Sequence, residues 1–204
     1  MTLRQAMDDL VTEGLVERRH GSGTYVVAQP FARLLGLTSF SEDMRERGLI
    51  PGSRLLAYRL EGADRALAAQ LGVPVSEPVV TFTRLRLGSG EPMAVETVWI
   101  RSSLVPGLAA ADLDRSLYEL LARRYHIVTA SASVTILPVV PDGRTCELLG
   151  IAAGHACLRV RMADADASGR VVMLADCVYR GDRYQLSATL AGAHFSALHA
   201  RRAS

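Results

Sequence analysis

The stretch VVTFTRLRL, residues 79–87, places two arginines two positions apart in a run of β-branched and aromatic residues. Side chains alternate across a strand, so Val80, Phe82, Arg84 and Arg86 share one face, and two guanidinium groups project together from an otherwise apolar surface. The planar fork of arginine matches the paired oxygens of a carboxylate or phosphate. Further along, Ser116 stands three residues before Glu119, the spacing of a capping box, and the helix that it opens brings free N–H groups and a positive dipole end. A small anion held among these groups is one coherent arrangement. The other keeps both arginines on the solvent side of a half-exposed sheet, paired with Glu96 or Asp176. Spacing alone leaves both open.

A second group of residues opens the chain, in MTLRQAMDDLVTEGLVERRHGSGTYVV. Thr2 and Gln5 have capping-box spacing. Leu3, Met7, Leu10 and Val11 fall on one helical face, with Arg4, Gln5, Asp8, Asp9 and Thr12 on the other, until Gly14 ends the helix. Residues 15–19 read as a strand, His20, Gly21, Ser22 and Gly23 as a permissive turn, and 24–27 as the returning strand. A helix and a hairpin in 27 residues cannot close a core, so the apolar stripe needs a partner.

Other chemistry is poorly represented. Among His126, His155, His194 and His199 no pair has close metal-ligand spacing, and no serine lies in G-x-S-x-G. No glycine-rich loop has phosphate-loop spacing. Cys146, Cys157 and Cys177 are odd in number, lack C-x-x-C spacing, and read as small buried apolar residues. No metal and no cofactor is expected. A formal net charge of +2 is too mild to argue for nucleic acid by itself, and the first 27 residues carry three arginines against four acids. With no run near ~18 apolar residues and no leader pattern, a cytoplasmic protein without membrane contact is expected.

The elements around these residues are mostly strands. Runs at 55–60, 79–87, 93–100, 128–138, 157–163, 171–179 and 184–190 have strand character, and GSGEP and ADASG are hairpin turns by composition. Asp64 and Asp142 can cap helices that end at Gly72 and Gly150, Ser116 caps a third, and 41–47 forms a short helical piece. Antiparallel strands with a few separate helices make an α+β fold, an antiparallel sheet with flanking helices.

The opening stretch TLRQAMDDLVTEGLVERRHGSGTYV resembles the recognition helix and wing of the winged helix-turn-helix domain in the GntR family of bacterial transcription regulators. The remainder, with SFSEDMRERGLIPGS, RLRLGSGEPMAVETVWI, DRSLYELL and YRGDRYQL in that order, resembles the effector-sensing UTRA domain of the HutC-like branch. That resemblance implies a chorismate-lyase-like fold over residues 53–198. Residues 1–28 would be a partial winged helix-turn-helix, and 29–52 a linker and effector loop. The family domain has two further helices before the recognition helix. This sequence is therefore expected to be truncated, or to begin at an internal methionine, and to bind operator DNA weakly or not at all.

The resemblance also assigns roles. Thr2, Arg4 and Gln5 would face base edges in the major groove, with Arg4 forking onto guanine, while Arg18, Arg19 and His20 flank a wing tip of Gly21, Ser22 and Gly23. On periodicity alone, Arg4 and Gln5 read rather as the solvated face of a surface helix, and it is the resemblance that turns them toward DNA. The positions matching Arg84, Arg86, Glu96, Ser116 and Tyr179 line the effector pocket, with Thr38, Ser39 and Phe40 in a loop that changes shape on binding. Glu96 would accept from effector hydroxyl or amine groups, and Tyr179 would pack over the effector. Members that bind phosphorylated sugars commonly carry a glutamate six residues before this tyrosine, and Met173 stands there instead. The expected protein is thus a repressor answering to a small anionic effector, a sugar phosphate or carboxylate, and binding operator DNA as a homodimer. Two alternatives remain: a lyase on the chorismate-lyase-like fold, and a regulator fragment that dimerises without binding DNA. Arg180, Asp182 and Tyr184 either touch the effector or fix the last strands as a buried Arg–Asp pair.

Overall fold

Alternation of apolar and polar side chains along successive strands builds one six-stranded sheet in the computed structural model, and local capping signals fix the helices that cover it. The structure describes residues 39–187 without a break, together with 5–7, 11, 16–19, 23–26 and 31–34. Residues 5–7 and 11 are helical, followed by the strands β1 (Val16–Arg19), β2 (Gly23–Val26) and β3 (Phe31–Leu34). Then come α1 (Phe40–Glu46), β4 (Pro51–Gly62), α2 (Arg65–Leu71), β5 (Pro78–Gly88) and β6 (Glu91–Arg101). Two 3₁₀ turns, Ser102–Leu104 and Ala110–Asp114, lead to α3 (Leu117–Tyr125), β7 (Ser131–Val139), α4 (Gly143–Leu149), β8 (Cys157–Ala165), β9 (Val171–Arg180) and β10 (Tyr184–Ser187).

The main sheet runs β4-β5-β6-β9-β8-β7, with every neighbouring pair antiparallel. The expected α+β architecture is thus the observed one. Ser89 and Gly90 close the β5–β6 hairpin with positive φ at both positions, the two-residue turn whose twist matches its strands. Asp166 closes the β8–β9 turn, accepting from Ser168 and Arg170; these hydrogen bonds, that of the Ser168 hydroxyl first, hold its carboxyl down to about 2. Asp64 and Asp142 accept from Leu67 N and Thr145 N at 2.7 Å, and Gly72 and Gly150 end those helices in the left-handed region.

Several boundaries differ from the sequence reading. β4 starts at Pro51, not at 55, because Pro51 and Gly52 pair with Gly88 and Leu87 at the sheet edge, where a missing N–H is tolerated. The helical piece begins at Phe40, and the 128–138 strand at Ser131. Residues 188–190, read as the end of the last strand, lie outside the described residues, as do His194 and His199. Cys146, Cys157 and Cys177 are free and buried, as expected.

The larger core lies on the sheet face that carries Val80, Phe82, Val98, Ile100 and Ala175, covered by α1, the second 3₁₀ turn and α3. On the opposite face α2 seats Ala68 and Leu71 against Val79 and Leu174, and α4 seats Leu149 against Leu85 and Cys157. At seven residues α1 is too short to hold itself helical. It is held by Met44 and Phe40, buried at roughly 1.5–3 kcal/mol per large apolar side chain.

One close approach has a testable cost. A Cβ at Gly181 would overlap the carbonyl oxygen of Ala156, a backbone atom that cannot swing aside. Gly181→Ala is expected to destabilise the fold by about 1–3 kcal/mol, as overpacking does. A chain of this size loses about 2–4 °C of Tm per kcal/mol, so thermal unfolding reads the effect directly.

Candidate anion-binding site

The two arginines are buried. Arg84 is 1% and Arg86 3% exposed, on the face that also buries Val80 and Phe82, so the solvent-side arrangement is overturned. Asp176, its other proposed partner, lies on the opposite face and holds Arg159 and Arg161. Glu96 is directly opposite Arg84 in the β5–β6 register.

The two guanidinium groups are not equivalent. Arg84 donates from Nε and Nη2 to Glu96 Oε2 at 2.9 and 2.5 Å, and from Nη1 to the carbonyls of Leu113 and Arg115 at 3.2 Å each. It therefore ties the sheet to the turn that leads into α3. Among the described residues Arg86 donates to the hydroxyls of Ser53 and Ser41, at 3.2 and 3.4 Å, and stands 3.9 Å from Glu96. Its Nε is buried without a hydrogen-bond partner among the described residues. Burial draws the Arg86 pKa below the ordinary arginine range; Glu96 opposes the shift and Arg84 adds to it.

Phe40 roofs this cation, its ring centroid 4.5 Å from the Arg86 guanidinium carbon. Its position follows from the cap of α1: Ser39 accepts from Glu42 N at 3.1 Å, and Glu42 accepts from Ser39 N at 2.8 Å. Ser39 is thus a complete capping box, while Thr38 lies outside the described residues. Ser116 caps α3 by accepting from Glu119 N, but the reciprocal arm is missing, because Glu119 reaches Arg45 at 3.1 Å instead.

Phe40, Glu96, Tyr118, Met173 and Tyr179 line a narrow cavity with room for little more than one water. Of the five sheet and helix positions expected to form a pocket, Glu96 and Tyr179 line it; Arg84 adjoins it through Glu96 and Arg86 through Phe40, and Ser116 is buried next to the lining residue Leu117. Sequence reasoning missed Ser41, Ser53, Tyr118 and Asp164. The Tyr118 hydroxyl donates to Asp164 Oδ2 at 2.7 Å, and burial, then this carboxylate, pushes the phenol well above its ordinary range. Asp164 is a Cα partner of Met173, so a carboxylate stands across the strand pair from the position where sugar-phosphate binders carry one. The alternation Leu158, Val160, Met162, Asp164 could have placed it on the buried face.

Beside the cavity, the Tyr179 and Tyr184 rings stack at 3.9 Å. Tyr184 donates to Asp43 of α1 at 3.2 Å, and Asp43 also holds Arg47. Tyr184 opens β10, which pairs in parallel with β3. Arg180 is paired with Asp182 at 2.7 Å and with the Leu149 carbonyl, closing the turn between β9 and β10. In the YRGDRY stretch the Arg–Asp pair does form.

At the other end of the chain, β1 and β2 form the antiparallel hairpin expected of a wing, with Val16 opposite Val26 and Arg19 opposite Gly23. Arg18 is exposed, and Gln5 is exposed on a helical segment. Thr2, Arg4, His20, Gly21 and Ser22 lie outside the described residues.

Among the described residues there is no cluster of metal-ligating side chains and no helix long and apolar enough to cross a membrane.

Similarity to known proteins agrees with this architecture. Residues 46–185 match the UTRA domain, and residues 1–26 match the bacterial regulatory proteins of the gntR family. The HTH-type transcriptional repressor NagR of Bacillus subtilis is 37% identical over 185 residues, 90% of this chain and 76% of that protein. The Mannosyl-D-glycerate transport/metabolism system repressor MngR of Escherichia coli is 28% identical over 92% of this chain and 78% of its own length. The crystal structure of PhnF from Mycobacterium smegmatis superposes with a TM-score of 0.79 at 31% identity, covering 93% of this chain and 84% of that one. These relatives are regulators, and the lyase alternative falls with them: this protein is a ligand-responsive transcriptional regulator. With the sensing domain matched across most of its length, the chain belongs to the UTRA-domain regulators of the gntR family.

Proposed function

We propose that this regulator represses transcription until a small anionic effector, a phosphate- or carboxylate-bearing metabolite, binds at Arg86. The supporting observation is that cation: 3% exposed, held by two hydroxyls, with one donor unpartnered among the described residues and its nearest carboxylate already bound to Arg84. An anion would complete a buried ion pair at little further desolvation of the arginine. The relative MngR is named for a mannosyl-D-glycerate system, and mannosyl-D-glycerate bears a carboxylate, which is in keeping with an anionic effector here. Glu96, Ser116, Tyr118 and Tyr179 would contact the rest of the molecule, and Ser39 and Phe40 would frame its entrance. Residues 53–198 act as the sensing unit, 29–52 as linker and effector loop, and 1–28 as the part of the DNA-binding domain in which Arg4, Arg18 and Arg19 contact operator. The protein works in the cytoplasm as a homodimer on a two-fold operator.

The cavity is too tight for such a molecule unless Phe40 moves, and Phe40 is the first residue of α1. Displacing α1 strains the Asp43–Tyr184 bond and, through β10, its partner β3. Effector and operator then favour different positions of α1, which is the differential binding that coupling requires.

Thermal unfolding against inorganic phosphate, sugar phosphates, urocanate and chorismate tests the effector class. A ligand at 100 times its Kd is expected to add about 2.7 kcal/mol of stability. Stabilisation by an anion, absent for its uncharged parent compound, supports the reading; equal stabilisation by the uncharged compound overturns it.

A further inference from the structure

We infer a second ligand site on the sheet face turned away from Arg86, a trough between α2 and α4 that fits an uncharged oligosaccharide. The two helices cover separate parts of this face, α2 over Val79 and Leu174 and α4 over Leu85 and Cys157. Strand alternation puts two cross-strand rows on the sheet between them. One runs Thr81, Trp99, Leu174, and the other Thr83, Thr97, Asp176, Arg161. Two cavities of about 490 and 420 Å³ lie over these rows and share Glu61 and Trp99 as lining. Small-molecule sites span roughly 300–1,000 Å³, so each is large enough for a ligand, whereas the cavity beside Phe40 is not without movement.

The class of ligand follows from what lines the trough. Its charges balance: Glu61, Asp64 and Asp176 against Arg59, Arg144 and Arg161. Asp176 is held by Arg161 at 3.4 Å and by Arg159 as well, so neither sign is in excess and no charged ligand is favoured. An apolar occupant would desolvate the Gln70 amide and the Glu61 and Asp64 carboxylates at a cost that nothing repays.

A sugar ring meets both conditions. One of its faces is a set of C–H bonds, which lies on an aromatic ring, and its edge is a set of hydroxyls, which both donate to carboxylates and accept from amide and guanidinium groups. Trp99, the one tryptophan of the chain, stands partly exposed where the two cavities meet. Gln70 of α2 and Glu61 of β4 lie within reach of the first cavity. On the floor of the second, Thr83 and Thr97 share a hydrogen bond at 3.1 Å, and the Thr81 hydroxyl has no partner among the described residues. Two adjoining cavities with the indole between them suit a chain of sugar units better than a single ring.

The test uses Trp99 emission, which no other tryptophan obscures. The full chain is titrated with maltotriose, cellotriose and chitotriose, with calorimetry alongside. At least one of them is expected to change the emission saturably, with a Kd of about 1 mM or below. Gln70→Ala, an exposed position on α2, is expected to weaken that binding about threefold, the worth of one hydrogen bond. Trp99→Ala is expected to weaken it at least about tenfold by calorimetry, and Trp99→Phe, which keeps an aromatic face, to recover most of the loss. No saturation by any of the three sugars overturns the inference, as does calorimetric affinity unchanged in both Gln70→Ala and Trp99→Ala. Tighter binding of uridine, or of a galacturonate trimer, than of all three sugars overturns the uncharged-carbohydrate class.

Discussion

Glu96→Ala is expected to cost roughly 3–5 kcal/mol of folding stability, the range seen when one partner of a buried ion pair is removed. Glu96 takes two hydrogen bonds from Arg84 on one oxygen, and it is the carboxylate within 4 Å of Arg86. Without it two guanidinium groups stay on a buried face with only hydroxyl and carbonyl acceptors. Against a typical total of 5–15 kcal/mol, that loss leaves a marginal domain. The variant also carries a signature that a cavity mutation lacks. Sulfate, compared with chloride at equal ionic strength, is expected to raise its Tm more than that of the wild type, because a divalent anion can stand in for the missing carboxylate. Urea unfolding within 1 kcal/mol of wild type would show that Glu96 does not hold the pair.

How much of this site could be read in the sequence depends on the range of the interactions involved. The shared face of Val80, Phe82, Arg84 and Arg86 follows from a period of two, which holds wherever a strand forms. The caps at Asp64, Asp142 and Ser116 were legible for the same reason, since cap and recipient lie three residues apart. The second arm of the Ser116 box was not, because Glu119 is taken by Arg45, 74 residues away. Ser53 escaped notice since residues up to 52 read as linker and the strand as starting at 55, whereas the edge strand begins at Pro51. The unequal standing of the two arginines was beyond pattern altogether. It comes from the carbonyls of Leu113 and Arg115, supplied by an irregular segment about 30 residues further on. The stack of Tyr179 on Tyr184 depends likewise on the tight turn fixed by the Arg180–Asp182 pair, whose partner Leu149 is 31 residues away.

Arg86→Met should give the opposite result from Glu96→Ala in stability and the larger effect on response. Methionine fills the space under Phe40 with apolar atoms and removes a buried charge that has no carboxylate of its own. A buried charge whose nearest carboxylate is bound elsewhere keeps its desolvation cost uncompensated, so an apolar side chain of similar length in its place is expected to leave stability unchanged or raise it. The effector, by contrast, loses the donor that its anion would meet in a water-poor cavity, a change that typically costs 2–5 kcal/mol. Since 1.4 kcal/mol is a factor of ten, the effector Kd is expected to rise at least about 30-fold while the unliganded Tm holds or increases. Arg84→Met is the control. It also removes a buried cation, but it abandons Glu96 and two carbonyls, so it should fall in stability as Arg86→Met does not. On the proposed reading the two arginines of one strand face do different work: Arg84 holds the α3 approach in place, and Arg86 would meet the anion. Unliganded melts and ligand titrations of the two variants side by side decide it. Equal loss of stability in both would make the pair a single structural unit and move the effector site elsewhere.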